Sequence, residues 1–301
     1  MKSFIDDFKY TWNRPNNGLM RLIIINASVF VTVNLIFVIA KISGSGPFYD
    51  KIINLLSISP SINEFITTPW TLFTYFFTHE GFFHVLFNML VLYWFGMIFD
   101  EFLGNRKLVA LYIWGGIAGG LAYLVMSNLV EYFSAHAGSG MVGASASVDA
   151  IVIGAATLVP EYRISLLLLG PVRIKYIAAV VVFMSIIGLG GGNVGGNVAH
   201  LGGALMGFLF ILQMRKGHDW SKPVWAVLDW VSNLFKPKPK IHVSYRKNSG
   251  KKSKRNNHHS DEPDQAVIDA ILDKISESGY EKLTAEEKHI LFKASQKKEE
   301  N

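Results

Sequence analysis

The sequence predicts an all-α polytopic membrane protein with a polar appendage, and three observations carry that prediction. Half of its 301 residues are hydrophobic and only 17% are charged. Six apolar segments approach the length that a bilayer demands. The polar remainder is concentrated before the first of these segments and after Met214. Cysteine is absent, which excludes disulfides, thiol nucleophiles and cysteine-based zinc sites. The formal charge of +6 lies largely in the tail, so it describes that tail and not the whole chain.

The six spans are read at about 22–42, 83–99, 108–130, 145–158, 174–189 and 198–214. No small-residue cleavage site follows the first, so it reads as a retained anchor and not a signal peptide. The fourth is short, which implies that it starts below the membrane surface. Orientation follows from basic residues. Lys2, Lys9, Arg14 and Arg21 precede the first span, Arg106 and Lys107 follow the second, and Arg163, Arg173 and Lys175 follow the fourth, against little beyond Lys51 in the opposite loops. Both termini are therefore expected in the cytoplasm, at a multi-pass cell membrane, with the second, fourth and sixth spans starting outside. The organisation expected is an N-terminal cytoplasmic segment (1–20), a membrane domain (21–216), an interfacial helix with a polybasic linker (217–260) and a cytoplasmic helical hairpin (261–301).

Orientation brings the polar residues to one depth. His79, His84 and Asn88 lie at the start of the second span in "THEGFFHVLFNML", Ser145 opens the fourth in "MVGASASVDA", and His200 lies near the start of the sixth in "NVAHLGGALMG". Ionisable groups at such depth face a cavity or the bundle interior. A lone intramembrane Asn can instead be helix–helix glue worth about 1 kcal/mol, and Asn26 and Asn34 are read so. His79 and His84 are five residues apart, about 140° around a helix, so they do not share a face as a zinc-binding H-E-x-x-H pair must. "GGGNVG", 190–195, formally fits a dinucleotide fingerprint but follows a membrane span and not a strand. It reads as a mobile loop.

What remains is serine chemistry. A hydroxyl needs a base to become a nucleophile, and histidine is the usual one near neutral pH. Ser145 and His200 supply the pair if their helices touch. Ala199, Gly203 and Gly207 give the sixth span a small-residue stripe that permits close approach, and Gly143, Ala144 and Ala146 thin the fourth where it would meet that stripe. An oxyanion also needs donors. His84 and Asn88 stand one turn apart, and the Ser145 N–H lies in a first helical turn without an intrahelical acceptor.

The pattern H-x4-H-x3-N, then G-x-S, then A-H-x2-G-x3-G on successive even spans resembles the rhomboid intramembrane serine proteases over about 20–214. The resemblance implies a six-transmembrane-helix rhomboid bundle, with Ser145 as nucleophile and His200 as general base and acid. His84, Asn88 and the Ser145 amide would form the oxyanion site, and His79 would support the water-accessible cavity. It further implies that 43–78 is a half-submerged first loop carrying Trp70, and that 188–196 is a flexible cap. No metal or organic cofactor is implied, and the partners would be transmembrane protein substrates. Three positions depart from the pattern. Ala146 stands for the usual glycine after the serine, and Thr71 for an arginine after the loop tryptophan, a change expected to loosen that loop. Asp149 stands where an aromatic or apolar residue is common. It lies one turn below Ser145, and it either partners the second ring nitrogen of His200 or is a protonated group bonded to a carbonyl or water.

The tail reads separately. "DWSKPVWAVLDWVSNLF" places Trp225, Leu228, Val231, Leu234 and Phe235 at helical spacing, with Trp220 and Trp230 able to sit among headgroups, as an interfacial or a short soluble amphipathic helix. The basic linker 236–255 suits an anionic leaflet. Nucleic acid is rejected as a partner because no aromatic platform or fold accompanies the charge. In 261–301, Thr284 and Glu287 form a capping box, and Val267, Ile268, Ile271, Leu272 and Ile275 make one face opposite Ile290, Leu291 and Phe292. The functional expectation is an endopeptidase acting on transmembrane segments; the runner-up is a catalytically silent relative that binds or retains membrane clients.

Overall fold

The structure, a computed structural model, describes residues 4–166, 170–235 and 265–296. In chain order the helices of the membrane unit are α1 (Phe4–Asn13), α2 (Gly18–Ile42), α3 (Gly46–Leu56), α4 (Ile62–Thr67), α5 (Thr71–Thr74), α6 (Phe82–Leu103), α7 (Asn105–Leu129), α8 (Glu131–His136), α9 (Ser145–Leu158), α10 (Ile174–Gly188), α11 (Val194–Arg215) and α12 (Ser221–Phe235). α2, α6, α7 and α11 are long and apolar enough to cross a bilayer, and α9 and α10 are shorter apolar helices. These are the six expected spans, and the chain is a multi-pass membrane protein.

α9 is the hub. Ten of its 14 residues are buried, which marks a helix enclosed by protein on all sides and not a lipid-facing one. Its small residues allow that enclosure. Gly203 and Gly207 of α11 face the carbonyls of Ala146 and Ala150, while Gly115 and Gly119 of α7 meet the methyl groups of Ala150 and Ala146. A side chain at any of these four glycines would collide with α9. The stripe on α11 was expected; its counterpart in "WGGIAGG" of α7 was not. Of the two buried-asparagine readings, one holds. Asn26 donates to Tyr112 Oη at 2.9 Å and ties α2 to α7, whereas Asn34 donates to Phe30 O within its own helix at 3.0 Å.

The segment 43–78 is more ordered than a loop. Besides α3, α4 and α5 it contains a 3-10 turn, Tyr75–Phe77. Trp70 Nε1 donates to Leu55 O at 2.9 Å. Thr71 is fully buried, and its hydroxyl donates to Thr68 O at 2.7 Å. Thr71 thus closes a turn, contrary to the loosening expected of it. A second departure is an antiparallel ribbon, β1 (Arg163–Leu166) with β2 (Gly170–Arg173), in register Arg163↔Arg173. Glu161 bonds Lys175 and pairs with Arg173 at 3.0 Å beside it.

α12 docks on the bundle through part of the apolar set read from the sequence. Val224 is buried, Leu228 packs on the core, and Trp114 Nε1 donates to Trp220 O at 2.8 Å. Trp225 Nε1 donates to Arg106 O at 2.8 Å. Val227, Trp230, Val231 and Leu234 stay exposed, so Val231 and Leu234 do not share the docked face of Leu228.

The chain divides into two compact units, Met1–Pro237 and Lys238–Asn301. The second contains α13 (Gln265–Ser278) and α14 (Ala285–Gln296). The capping box opens α14: Thr284 N donates to Glu287 Oε2 at 2.8 Å, and Glu287 N donates to Thr284 Oγ1 at 3.3 Å. Ile271 and Leu283 are buried, while Val267, Leu272 and Phe292 are exposed, so only part of the expected apolar interface is covered. The basic linker 236–255 lies outside the described residues.

Candidate active site

The site is built on the first turn of α9. The strand of chain leading into it is held at three points. Met141 and Ile58 exchange backbone hydrogen bonds of 3.0 Å, Gly143 N donates to Tyr75 O at 2.9 Å, and Ala144 N donates to His79 Nε2 at 3.2 Å. Gly143 has φ +132, and a Cβ there would stand 2.7 Å from His84 Cε1. The backbone conformation and the neighbouring imidazole both require glycine at that position.

Ser145 Oγ lies 2.7 Å from His200 Nε2 of α11. This contact follows from the close α9–α11 approach, since Gly203 lies one turn beyond His200 on α11. The other ring nitrogen, Nδ1, lies 3.6 Å from Asp149 Oδ2. A cavity of about 580 Å³ opens in front of these groups, and His84, Asn88, Ser145, Asp149 and His200 all line it. Its remaining walls are largely apolar, with Phe83 and Phe87 from α6 and Ile177 and Val181 from α10. Asn88 Nδ2 donates to His84 O at 2.8 Å, which leaves its second amide hydrogen for the cavity.

His79 does not line the cavity. It precedes α6, is fully buried, and acts from behind by accepting the Ala144 N–H. Its ring sits 5.0 Å from that of His84. Ser147 is also buried, and its backbone packs at Gly115 of α7, on the far side of α9 from His200. The glycine-rich segment is shorter than expected. Gly188 ends α10, and Gly195 and Gly196 already belong to α11, whose start is capped by Asn193 Oδ1 accepting from Gly196 N at 3.2 Å. Only 189–193 bridges the two helices. Tyr75 was missed from sequence. Its hydroxyl donates to Gly116 O at 2.5 Å while its carbonyl holds Gly143. The one signal was a tyrosine inside an apolar run just before His79.

A family model described as the rhomboid domain matches residues 67–217, half of the chain. The chain belongs to the rhomboid family. Residues 255–297 match a second family, DUF6576, of unknown function. The rhomboid is similar to presenilin-associated rhomboid-like protein A, mitochondrial, of Danio rerio, with 31% identity over 48% of this chain and 37% of that protein. It is 29% identical to RHOMBOID-like protein 12, mitochondrial, of Arabidopsis thaliana over 49% of this chain and 47% of that one. The presenilin-associated rhomboid-like protein, mitochondrial, of Rattus norvegicus is 30% identical over 52% of this chain and 40% of its own length. The matched part thus spans less than half of each of these relatives.

Proposed function

We propose that this rhomboid is an intramembrane serine endopeptidase that cuts other membrane proteins within or near their transmembrane segments. One observation carries the reading: the 2.7 Å contact between Ser145 Oγ and His200 Nε2, in a cavity walled by apolar side chains of two membrane helices. His200 Nε2 takes the serine proton as Oγ attacks the scissile carbonyl, and the carbonyl oxygen becomes an oxyanion. The Ser145 N–H, His84 and the free amide hydrogen of Asn88 are the donors available to it. Collapse breaks the peptide C–N bond, and the proton on Nε2 passes to the leaving amine. Water entering the cavity then hydrolyses the acyl-serine by the same steps, with His200 again accepting and returning the proton. His79, Gly143 and Tyr75 hold the turn that presents Ser145.

A silent, client-retaining role leaves the Ser145–His200 contact without a purpose, so the protease is the reading favoured. The same proposal puts both termini in the cytoplasm, from the distribution of basic residues, at a cell membrane; "mitochondrial" describes the relatives. The exposed stripe of α12 and the basic linker 236–255 would meet an anionic leaflet. The domain organisation proposed keeps the chemistry within 21–216, with 261–301 as a docking or stabilising element.

The test is cleavage of a single-span reporter in liposomes together with fluorophosphonate labelling. Ser145→Ala should abolish both, and Ser147→Ala, about 200° away around the helix, should keep the labelling. Undiminished labelling of Ser145→Ala protein overturns the assignment.

A further inference from the structure

We propose that Asp149 is a positioning residue that turns the Ser145–His200 pair into a three-membered relay, and this rests on the protease reading above. The imidazole contacts one group at each ring nitrogen: Ser145 Oγ is 2.7 Å from Nε2 and Asp149 Oδ2 is 3.6 Å from Nδ1. When Nε2 is free to accept the serine proton, the ring's own proton sits on Nδ1, the nitrogen nearer the carboxylate. At 3.6 Å the contact is electrostatic; closing by about 0.7 Å makes it a hydrogen bond of ordinary length. Contacts of this kind tighten when substrate binds.

Burial makes the pairing matter. The Asp149 and His200 side chains are 14% and 25% exposed, and an unpaired carboxylate in such a place is costly. Among the described residues, His200 is the polar partner of Asp149. His84 of α6 lines the same cavity and interacts electrostatically with His200. The remaining titratable groups on elements around His200 are otherwise engaged or distant. Tyr123 of α7 donates to Ala137 O at 3.0 Å, and Tyr75 donates to Gly116 O. On α10, Lys175 is bonded to Glu161 and Tyr176 is exposed, both at the end away from His200. On α8, Glu131 and His136 are exposed, and His136 turns onto Tyr132 O.

The proton accounting is simple. The serine proton moves to Nε2, the proton on Nδ1 stays where it is, and the imidazolium then faces a carboxylate that remains ionised. The Nε2 proton leaves with the amine, and the charge pair disappears. Asp149 fixes the ring's tautomer and stabilises the cation formed in the transition state, as the third member of a serine triad does.

The experiment compares Asp149→Asn, Asp149→Ala and Asp149→Glu with the parent and with Ser145→Ala, as full-length chains in liposomes. Asp149→Asn should lower kcat about 10- to 100-fold with KM unchanged. A carboxylate favours the protonated imidazole beside it, so its removal should also move the acidic limb of the pH–rate profile to lower pH. Asp149→Ala should behave at least as badly, and Asp149→Glu should recover part of the rate and the parent limb. Parent kcat with an unmoved limb in Asp149→Asn overturns the proposal, as does a loss of kcat and melting temperature together with no limb shift. If Asp149→Asn fails to fold, the parent decides: a strongly downfield Nδ1 proton of His200 at low pH supports the relay, and its absence overturns it. Failure of the protease reading is distinguishable, because the parent would then cleave and label no better than Ser145→Ala.

Discussion

Asn88 and Gly143 each carry a separable demand. Asn88 spends one amide hydrogen on His84 O and keeps the other for the cavity. If that hydrogen meets the oxyanion, Asn88→Ala should lose about 10²- to 10³-fold in turnover and keep the parent's melting temperature. Reporter cleavage with a parallel thermal scan measures both, and parental turnover would assign Asn88 a structural role. Gly143 is a demand on backbone. At φ +132 an alanine costs about 1–3 kcal/mol of strain, and its methyl would press on His84. Gly143→Ala should therefore lower both the melting temperature and the rate of fluorophosphonate labelling; parental labelling would show that the turn before Ser145 tolerates rearrangement.

Helix contacts set the site's geometry through small residues. Gly203 meets the Ala146 carbonyl with no room for a side chain, and His200 sits one turn away on the same helix. Gly203→Val should push α11 off α9 and separate Nε2 from Oγ. Labelling should fall more than tenfold, because distance between nucleophile and base enters the rate directly. In the other unit, the opening turn of α14 depends on a charge. Lys274 beside Glu287, with the Thr284 N–H, holds the Glu287 carboxyl well below its usual range, at about 2. A lowered folded-state value means stability that is present above the unfolded value and lost as pH falls through 2. Amide exchange in the first turn of α14 should thus rise between pH 4.5 and 2 relative to the same trace for Glu287→Gln. Superimposable traces would remove the charge from the account.

At the scale of the molecule, the boundary that matters lies after α12 and not after Met214. α12 and the residue just before it are tied to α7 by the Trp225–Arg106 and Trp114–Trp220 hydrogen bonds, and α12 buries Val224. A chain ending at Pro237 should keep the parent's turnover, since every proposed catalytic group lies earlier. A chain ending at Met214 should be less stable by about 2 kcal/mol from those two bonds alone, at about 1 kcal/mol each. Thermal unfolding in detergent with active-site labelling separates the two. An inactive but folded 1–237 chain would show that the second unit takes part in the chemistry.

Sequence by itself determined the class of the molecule and singled out Ser145 and His200, which the structure brings within 2.7 Å. Apolar span lengths are local properties, and Ser145 and His200 stand out because polar groups are scarce inside a membrane segment. The capping box of Thr284 and Glu287 was equally legible, being a contact between residues three apart. Tertiary structure decided whatever depends on how helices cross. The 3.6 Å between Asp149 and His200, 51 positions apart, became visible only with α9 and α11 in contact. That His79 braces Ala144 from behind, that Tyr75 holds Gly143, and that α7 supplies glycines to α9 were not legible. Each joins segments distant in sequence, where a shift of one residue in register would exchange one partner for another. The ribbon β1–β2 and the docking face of α12 belong to the same class: local patterns permit several placements, and packing against the bundle selects one.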